Sequence, residues 1–217
     1  GFPEPFLSES GVEADRWRLQ YIDGLLRKDI LDFEVVHDLR AMELVLELLR
    51  ARVGSPLSIA SLARDVGVSP NTVKRYIDIF AALYIIFIVP PYARNIARSL
   101  SRMAKIYFFD TGFVSGDSGA KYENFMALNL LKHVYYLRDC QGKAAELRYV
   151  RTKDGKEVDF CLIEENKPQV IIEVKNSDNQ LDPSLKFFAD RYHLPATQVV
   201  KELKRERKYG KIELRRA

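Results

Sequence analysis

Glu157-Val-Asp-Phe-Cys-Leu-Ile163 and, shortly after it, Val170-Ile-Ile-Glu-Val-Lys175 are the segments on which the reading of this chain turns. Both carry the β-branched and aromatic residues that suit strands, with polar groups set among them. Side chains alternate across a strand, so Asp159 is expected to share a face with Glu157 and Cys161, and Val158, Phe160 and Leu162 the other. By the same rule Glu173 and Lys175 share one face, and Ile172 and Val174 the opposite one. Arg151-Thr-Lys-Asp-Gly155 carries an Asp-Gly hairpin signal leading directly into the first of these strands. If the two strands are neighbours, Asp159, Glu173 and Lys175 converge at one edge of an otherwise apolar sheet.

Two carboxylates and an ammonium in the order D-x13-E-x-K are the groups that metal-dependent phosphodiester cleavage requires. Asp159 and Glu173 would be the metal ligands, offering hard oxygens to Mg²⁺, a cation that shares its shell with waters and phosphate oxygens. The ion would lower the pKa of a bound water and neutralise charge growing on the phosphate. Lys175 is placed to orient that water or to stabilise the transition-state oxyanion. Glu123, on a helix upstream, is expected to reach the same place as an accessory ligand. Taken one by one these residues have plainer readings. Glu-x-Lys is common as a solvated salt pair, and Glu123 could be an ordinary helix-surface charge.

Upstream, apolar residues recur at helical spacing over residues 13–28 and 38–52. Gly54-Ser-Pro56 breaks the chain, Ser58 to Val66 reads as a short helix, and Gly67-Val-Ser69 as a turn. Ser69 is a good N-cap and Pro70 a good first residue for a helix to Ala82, with Val73, Ile77 and Phe80 on one face. This is a helix-turn-helix pattern. Two apolar segments, Tyr84 to Val89 and Ile106 to Phe109, would form the strands of a wing. In a DNA-binding version Asn71, Thr72, Lys74 and Arg75 project toward the major groove. Arg94, Arg98 and Arg102, in a stretch with Lys105 that holds no acid between Pro90 and Phe109, would hold phosphates. Asp78 on the same exposed face works against such contact, and winged helices also serve as protein-docking modules.

Ser115-Gly-Asp-Ser-Gly119 marks the expected boundary between domains. Beyond it the pattern predicts a helix from Tyr122 to about His133, then strands near 134–138, 146–152, 156–163 and 169–175. A helix from Pro183 to Tyr192 and strands near 197–200 and 211–214 follow. The fold class is therefore mixed α/β: a helical winged-helix domain followed by a sheet flanked by helices. The expected division is a helical linker at 1–33, a winged helix at 34–112, and an α/β domain at 113–217.

The order Glu123, Asp159, Glu173-Val-Lys175 resembles the PD-(D/E)xK nuclease superfamily, with Val158 standing where that pattern has proline. More specifically, several segments resemble the C-terminal half of a group of prokaryotic AAA-class P-loop ATPases that ends in a domain of unknown function. They are Gly1-Phe-Pro-Glu-Pro-Phe, Trp17-Arg-Leu-Gln-Tyr-Ile-Asp, Arg27-Lys-Asp-Ile, Tyr107-Phe-Phe-Asp-Thr-Gly-Phe and Tyr149-Val-Arg-Thr-Lys-Asp-Gly-Lys-Glu-Val-Asp-Phe. The resemblance implies a restriction-endonuclease-like domain, DNA as a partner, and an ATPase module preceding Gly1. No G-x-x-x-x-G-K-[ST] occurs here, so ATP is not expected to bind this segment.

Cys140 and Cys161 offer neither a disulfide framework nor metal-finger spacing, which points to a reducing, cytoplasmic setting. The longest apolar run, Ile79 to Val89, is too short to span a bilayer. His37, His133 and His193 are too scattered to suggest a metal site, and Phe187, Phe188 and Tyr192 suit a helix core. Net charge is +4, and its distribution is uneven: from Lys201 onward eight basic residues face three acidic ones, whereas the preceding residues carry 26 basic and 27 acidic. Such clusters suit phosphate backbones or merely a solvated face. The function classes left open are a Mg²⁺-dependent nuclease module guided to DNA, a non-cutting DNA-binding or regulatory region on the same scaffold, and a protein-docking module. The oligomeric state is not legible.

Overall fold

Most helix starts in this chain are set by a side chain that accepts a backbone N–H, and the caps follow the sequence closely. The computed structural model describes residues 2–25, 38–92, 103–177 and 180–216. A short α1 (Pro3–Leu7) precedes α2 (Gly11–Gly24), capped by Ser10. Phe2, Trp17 and Tyr21 form an aromatic cluster with centroids 4.5–5.3 Å apart. Asp38 caps α3 (Leu39–Arg50), Ser58 caps α4 (Ile59–Val66), and Ser69 caps α5 (Pro70–Ala82). Gly67 closes α4 with φ +80, a left-handed conformation that glycine adopts without a Cβ penalty.

Helix α5 leads into β1 (Ile86–Val89), paired antiparallel with β2 (Lys105–Phe108) in the register Ile86↔Phe108. After β1 the chain runs along the edge of β3 (Ala145–Arg151): Tyr92 N–H donates to Tyr149 O at 2.7 Å and Tyr149 N–H to Pro90 O at 3.2 Å. This contact joins the small sheet to the large one.

Asp117 caps the long helix α6 (Ser118–Gln141), so Ser118 and Gly119 lie in its first turn and not in a linker. Residues 134–138, expected as a strand because valine and aromatics cluster there, continue α6 instead. Ala127, Val134 and Leu137 extend one buried stripe at helical spacing, and Gly142 ends the helix with φ +65.

The large sheet then follows: β3, β4 (Glu157–Glu164), β5 (Lys167–Lys175), β6 (Ala196–Val200), β7 (Arg207–Tyr209) and β8 (Ile212–Arg216), ordered β3-β4-β5-β6-β8-β7. The first three strands are antiparallel, β5-β6-β8 run parallel, and β7 returns antiparallel beside β8. Helix α7 (Pro183–Tyr192), capped by Asp182, connects β5 to β6. Strand β7 goes beyond the elements the sequence predicts; its Arg-Lys-Tyr is too short and polar to show periodicity.

Two large apolar clusters and a small one of Val200, Leu203 and Leu214 cover the sheet. One is continuous from α3, α4, α5, β1 and β2 through α6 to Leu147, Tyr149, Phe160, Ile172 and Val174. The other packs Leu185, Phe188 and Ala189 of α7 on Val158, Cys161, Ile163 and Ile171. Tyr192 does not join this core as expected; it is half exposed and stacks on Phe188 at 6.0 Å. Among the described residues no helix is long and apolar enough to cross a membrane.

Fully buried Asn124 ties α6 to β2, accepting from Phe108 N–H at 2.7 Å and donating to Phe108 O at 2.9 Å. It thus completes the strand's main-chain pairing as a neighbouring strand would. Asn124→Leu keeps the volume and orphans both groups. It is expected to destabilise the protein by roughly 2–3 kcal/mol, read from the shift in urea midpoint.

Candidate functional site

Lys105 lies in β2, every residue of which is buried, and it is only 1% exposed. The sequence places it at the end of a basic surface stretch, yet its ammonium points inward. It contacts Glu157 Oε1 at 2.8 Å, Asp159 Oδ1 at 3.0 Å and Glu123 Oε1 at 3.5 Å. Three N–H donors thus meet three carboxylates, with the Tyr149 ring 5.4 Å away. Desolvation alone would lower the Lys105 pKa, but the surrounding carboxylates outweigh it and raise it.

The carboxylates reach this point by separate routes. Glu123 sits in the second turn of α6, where Tyr107 donates its hydroxyl to Oε1 at 2.7 Å. The loop after α3 passes so close that a Cβ on Gly54 would lie 2.6 Å from the Glu123 carboxylate, at φ +75. Glycine is therefore required there twice over.

Asp159 owes its position to a bulge. Arg148 pairs with Cys161 and Val150 with Val158, so β4 takes three steps where β3 takes two. The extra residue changes the face of the strand. Phe160 and Leu162 face the large cluster, while Val158 joins Cys161 and Ile163 in the α7 cluster. The simple alternation expected from the sequence therefore fails at Val158.

Beside it, Glu173 and Lys175 lie on β5 as expected, and Lys175 contacts Glu173 Oε1 at 2.8 Å and Asp182 Oδ2 at 3.0 Å. Asp182 is held in place by buried Gln198, which accepts from Asp182 N–H at 2.8 Å and donates to Gln180 O at 2.8 Å. Asp159 and Glu173 are linked directly: Asp159 N–H donates to Glu173 Oε2 at 3.3 Å, and Val174 N–H to Asp159 Oδ2 at 3.1 Å. All four expected members, Glu123, Asp159, Glu173 and Lys175, are therefore part of one ionic cluster.

Both Asp159 oxygens and both Glu173 oxygens already accept from an ammonium or a backbone N–H. Among the described residues no group of three or more His, Cys, Asp or Glu side chains is placed to hold a metal ion. Lys105 is the cation that lies beside Asp159, and Lys175 the one beside Glu173.

Of the helix residues expected to meet DNA, Asn71, Lys74 and Arg75 are exposed on α5, as is Asp78. Thr72 is half-buried, and its hydroxyl is engaged with Ser69 Oγ at 2.8 Å as part of the cap. Arg94, Arg98 and Arg102 fall outside the described residues. Sequence reasoning missed Lys105, Tyr107, Arg151, Glu157, Asp182 and Gln198 as members of the cluster. The available signal was Lys105 and Tyr107 alternating with Ile106 and Phe108 in a strand flanked by apolar packing.

Charge balance governs the cluster. Five carboxyls, Glu123, Glu157, Asp159, Glu173 and Asp182, face three cations, Lys105, Lys175 and Arg151. Burial and the Asp159 charge push Glu123 up to about 7 and Glu173 up to about 8, against the pull of Lys105 and Lys175. Glu123 and Glu173 are thus the two of the five that take up protons most readily near neutral pH, which reduces the excess negative charge.

Two outcomes follow from this balance. Lys105→Met strands three carboxylates and is expected to cost about 3–5 kcal/mol in urea denaturation at pH 8. The folded chain also retains protons on Glu123 and Glu173 that the unfolded chain loses above 4.5. Stability therefore falls as pH rises through that window toward about 8, at up to ~1.4 kcal/mol per pH unit for each linked proton. Glu173→Gln, a mimic of the neutral form, should flatten that decline when urea midpoints are compared from pH 5 to 9. An unchanged slope would show that Glu173 is ionised in the folded protein.

Family models match along nearly the whole chain. Residues 1–123 match the domain of unknown function DUF8612, and residues 118–214 match the domain of unknown function DUF4143. Two curated relatives, uncharacterized proteins Rv2008c of Mycobacterium tuberculosis and Mb2031c of Mycobacterium bovis, are 25% identical over 221 residues, covering 92% of this chain. The chain spans about half the length of these relatives, 50% of each. No solved structure matches it. With more than half of its length matched, the chain belongs to the DUF8612 family, and its C-terminal part matches DUF4143.

Proposed function

We propose that this chain is a non-cutting, DNA-binding and regulatory region of an AAA-class ATPase, in which a PD-(D/E)xK-like fold is kept as a scaffold. The observation that carries this reading is Lys105. A buried ammonium bound to Glu123, Glu157 and Asp159 occupies the place where a nuclease of this kind would need open oxygen ligands. The association with an ATPase draws on the DUF4143 match, a family found in AAA-ATPase-associated proteins, and on the relatives' greater length. Helices α3, α4 and α5 followed by the β1–β2 pair support a winged helix-turn-helix, with α5 as the DNA-reading element. Asn71, Lys74 and Arg75 at its exposed start would contact the major groove.

A second reading, Mg²⁺-dependent cleavage, draws on the adjacency of Asp159, Glu173 and Lys175 on neighbouring strands. It would require room for a metal ion beside Asp159, where Lys105 lies. Incubation with branched, single-stranded and duplex DNA in Mg²⁺ or Mn²⁺ separates the two. The expected result is salt-sensitive binding without strand scission. Lys74→Ala and Arg75→Ala should each weaken duplex binding and, for each phosphate contact removed, lower the salt slope by about 1. Cleavage that Glu173→Ala abolishes would overturn the non-cutting reading, and absence of any salt-sensitive affinity would leave protein docking as the remaining class.

A further inference from the structure

The end of the chain forms a basic edge that the α5 reading does not use. Strand β7 is the outermost strand of the large sheet and pairs with β8 alone, and Arg207, Lys208 and Tyr209 are all exposed. The hairpin turns at Gly210, φ +61, and packs inward only through Ile212 and Leu214 of β8, with Leu203 beneath the preceding loop. All eight basic residues from Lys201 onward are exposed.

Few of these charges are compensated. Lys208 and Arg215 both reach Glu213, at 3.2 and 2.6 Å, while Glu206 accepts from the Arg216 backbone N–H at 3.1 Å. Lys204, Arg205, Arg207 and Lys211 have no ion pair among the described residues. Lysine on an edge strand commonly serves to block edge-to-edge pairing, and one or two charges suffice for that. Here eight basic residues face three acidic ones, whereas the 200 residues before them carry 26 basic and 27 acidic. The whole positive surplus of the protein sits on this one hairpin and its leading loop. A concentrated, unpaired cationic surface of this kind complements a regular polyanion, and the phosphate spacing of nucleic acid provides one.

We infer that the loop and β7–β8 hairpin over residues 201–216 form a second nucleic-acid contact, which grips the phosphodiester backbone without reading sequence. This deepens the DNA-binding reading above but rests on a different surface from α5. Contacts to phosphate position a protein on DNA, and base contacts from elsewhere supply selectivity.

The test is fluorescence anisotropy with labelled duplex DNA across a salt series, comparing the wild-type chain, Lys74→Ala/Arg75→Ala, and a hairpin variant carrying Lys204→Gln, Arg205→Gln, Arg207→Gln and Lys211→Gln. The four hairpin positions are exposed, so circular dichroism and the thermal midpoint should stay unchanged. The hairpin variant is expected to lose roughly 10-fold or more in affinity, with the slope of log K against log salt smaller by about 2–4. The loss should be similar for unrelated duplex sequences. If the hairpin variant binds as wild type while the α5 variant does not, this inference fails and the α5 reading stands. If only the hairpin variant loses affinity, the inference stands and the α5 reading fails. Unaltered DNA affinity in the hairpin variant, with loss of binding to phosphatidylserine vesicles, would assign the surface to membranes and also overturn it.

Discussion

A single buried ammonium holds three distant parts of the chain to one another. Lys105 comes from β2, Glu123 from α6, and Glu157 and Asp159 from β4, so one side chain joins the small sheet, the long helix and the large sheet. Removing a lysine from water costs several kcal/mol, and only close opposite charges in good geometry offset it. The three carboxylates do so, while they in turn depend on Lys105 to remain buried. Removing either partner leaves a buried charge uncompensated, so the contact of β2 with β4 depends on both.

Local irregularities bring the groups within range. The extra residue in β4 changes the face of the strand beside Asp159, and Gly54 lets a loop approach the Glu123 carboxylate where any side chain would collide. Gln198 and Asp182 hold Lys175 from the opposite side, so each ammonium has its own set of partners. Five carboxyls around three cations then leave an excess that proton uptake by Glu123 and Glu173 absorbs. A site with raised carboxyl pKa values often signals catalysis, but an ion-pair network such as this one produces the same shifts.

The functional reading follows from this division of charge. In the core, five carboxyls share three cations, and the acids outnumber the bases. At the sheet edge, base is in excess and exposed: Lys208 and Arg215 share Glu213, while Lys204, Arg205, Arg207 and Lys211 have no ion pair among the described residues. The non-cutting reading proposed above draws on the first place, and the proposed contact with a polyanion on the second.

Much of the fold was legible because it is written in local signals. Ser58, Ser69 and Pro70 mark their helices, Pro183 to Tyr192 matches α7, and the Asp-Gly hairpin between β3 and β4 falls where its turn residues predict. Asp159, Glu173 and Lys175 could be placed on neighbouring strands because strand period and loop length constrain them. Residues 134–138 were misread because valine and tyrosine favour a strand locally, whereas the buried stripe that keeps them helical belongs to packing against other elements. By itself, then, the sequence determined most of the elements, the Ser69 cap and which acids could approach one another. Tertiary structure alone decided which cation meets them. A lysine's role depends on whether its strand is buried and on what lies across the gap, and no local period encodes a contact spanning 18 to 54 positions between Lys105 and its partners.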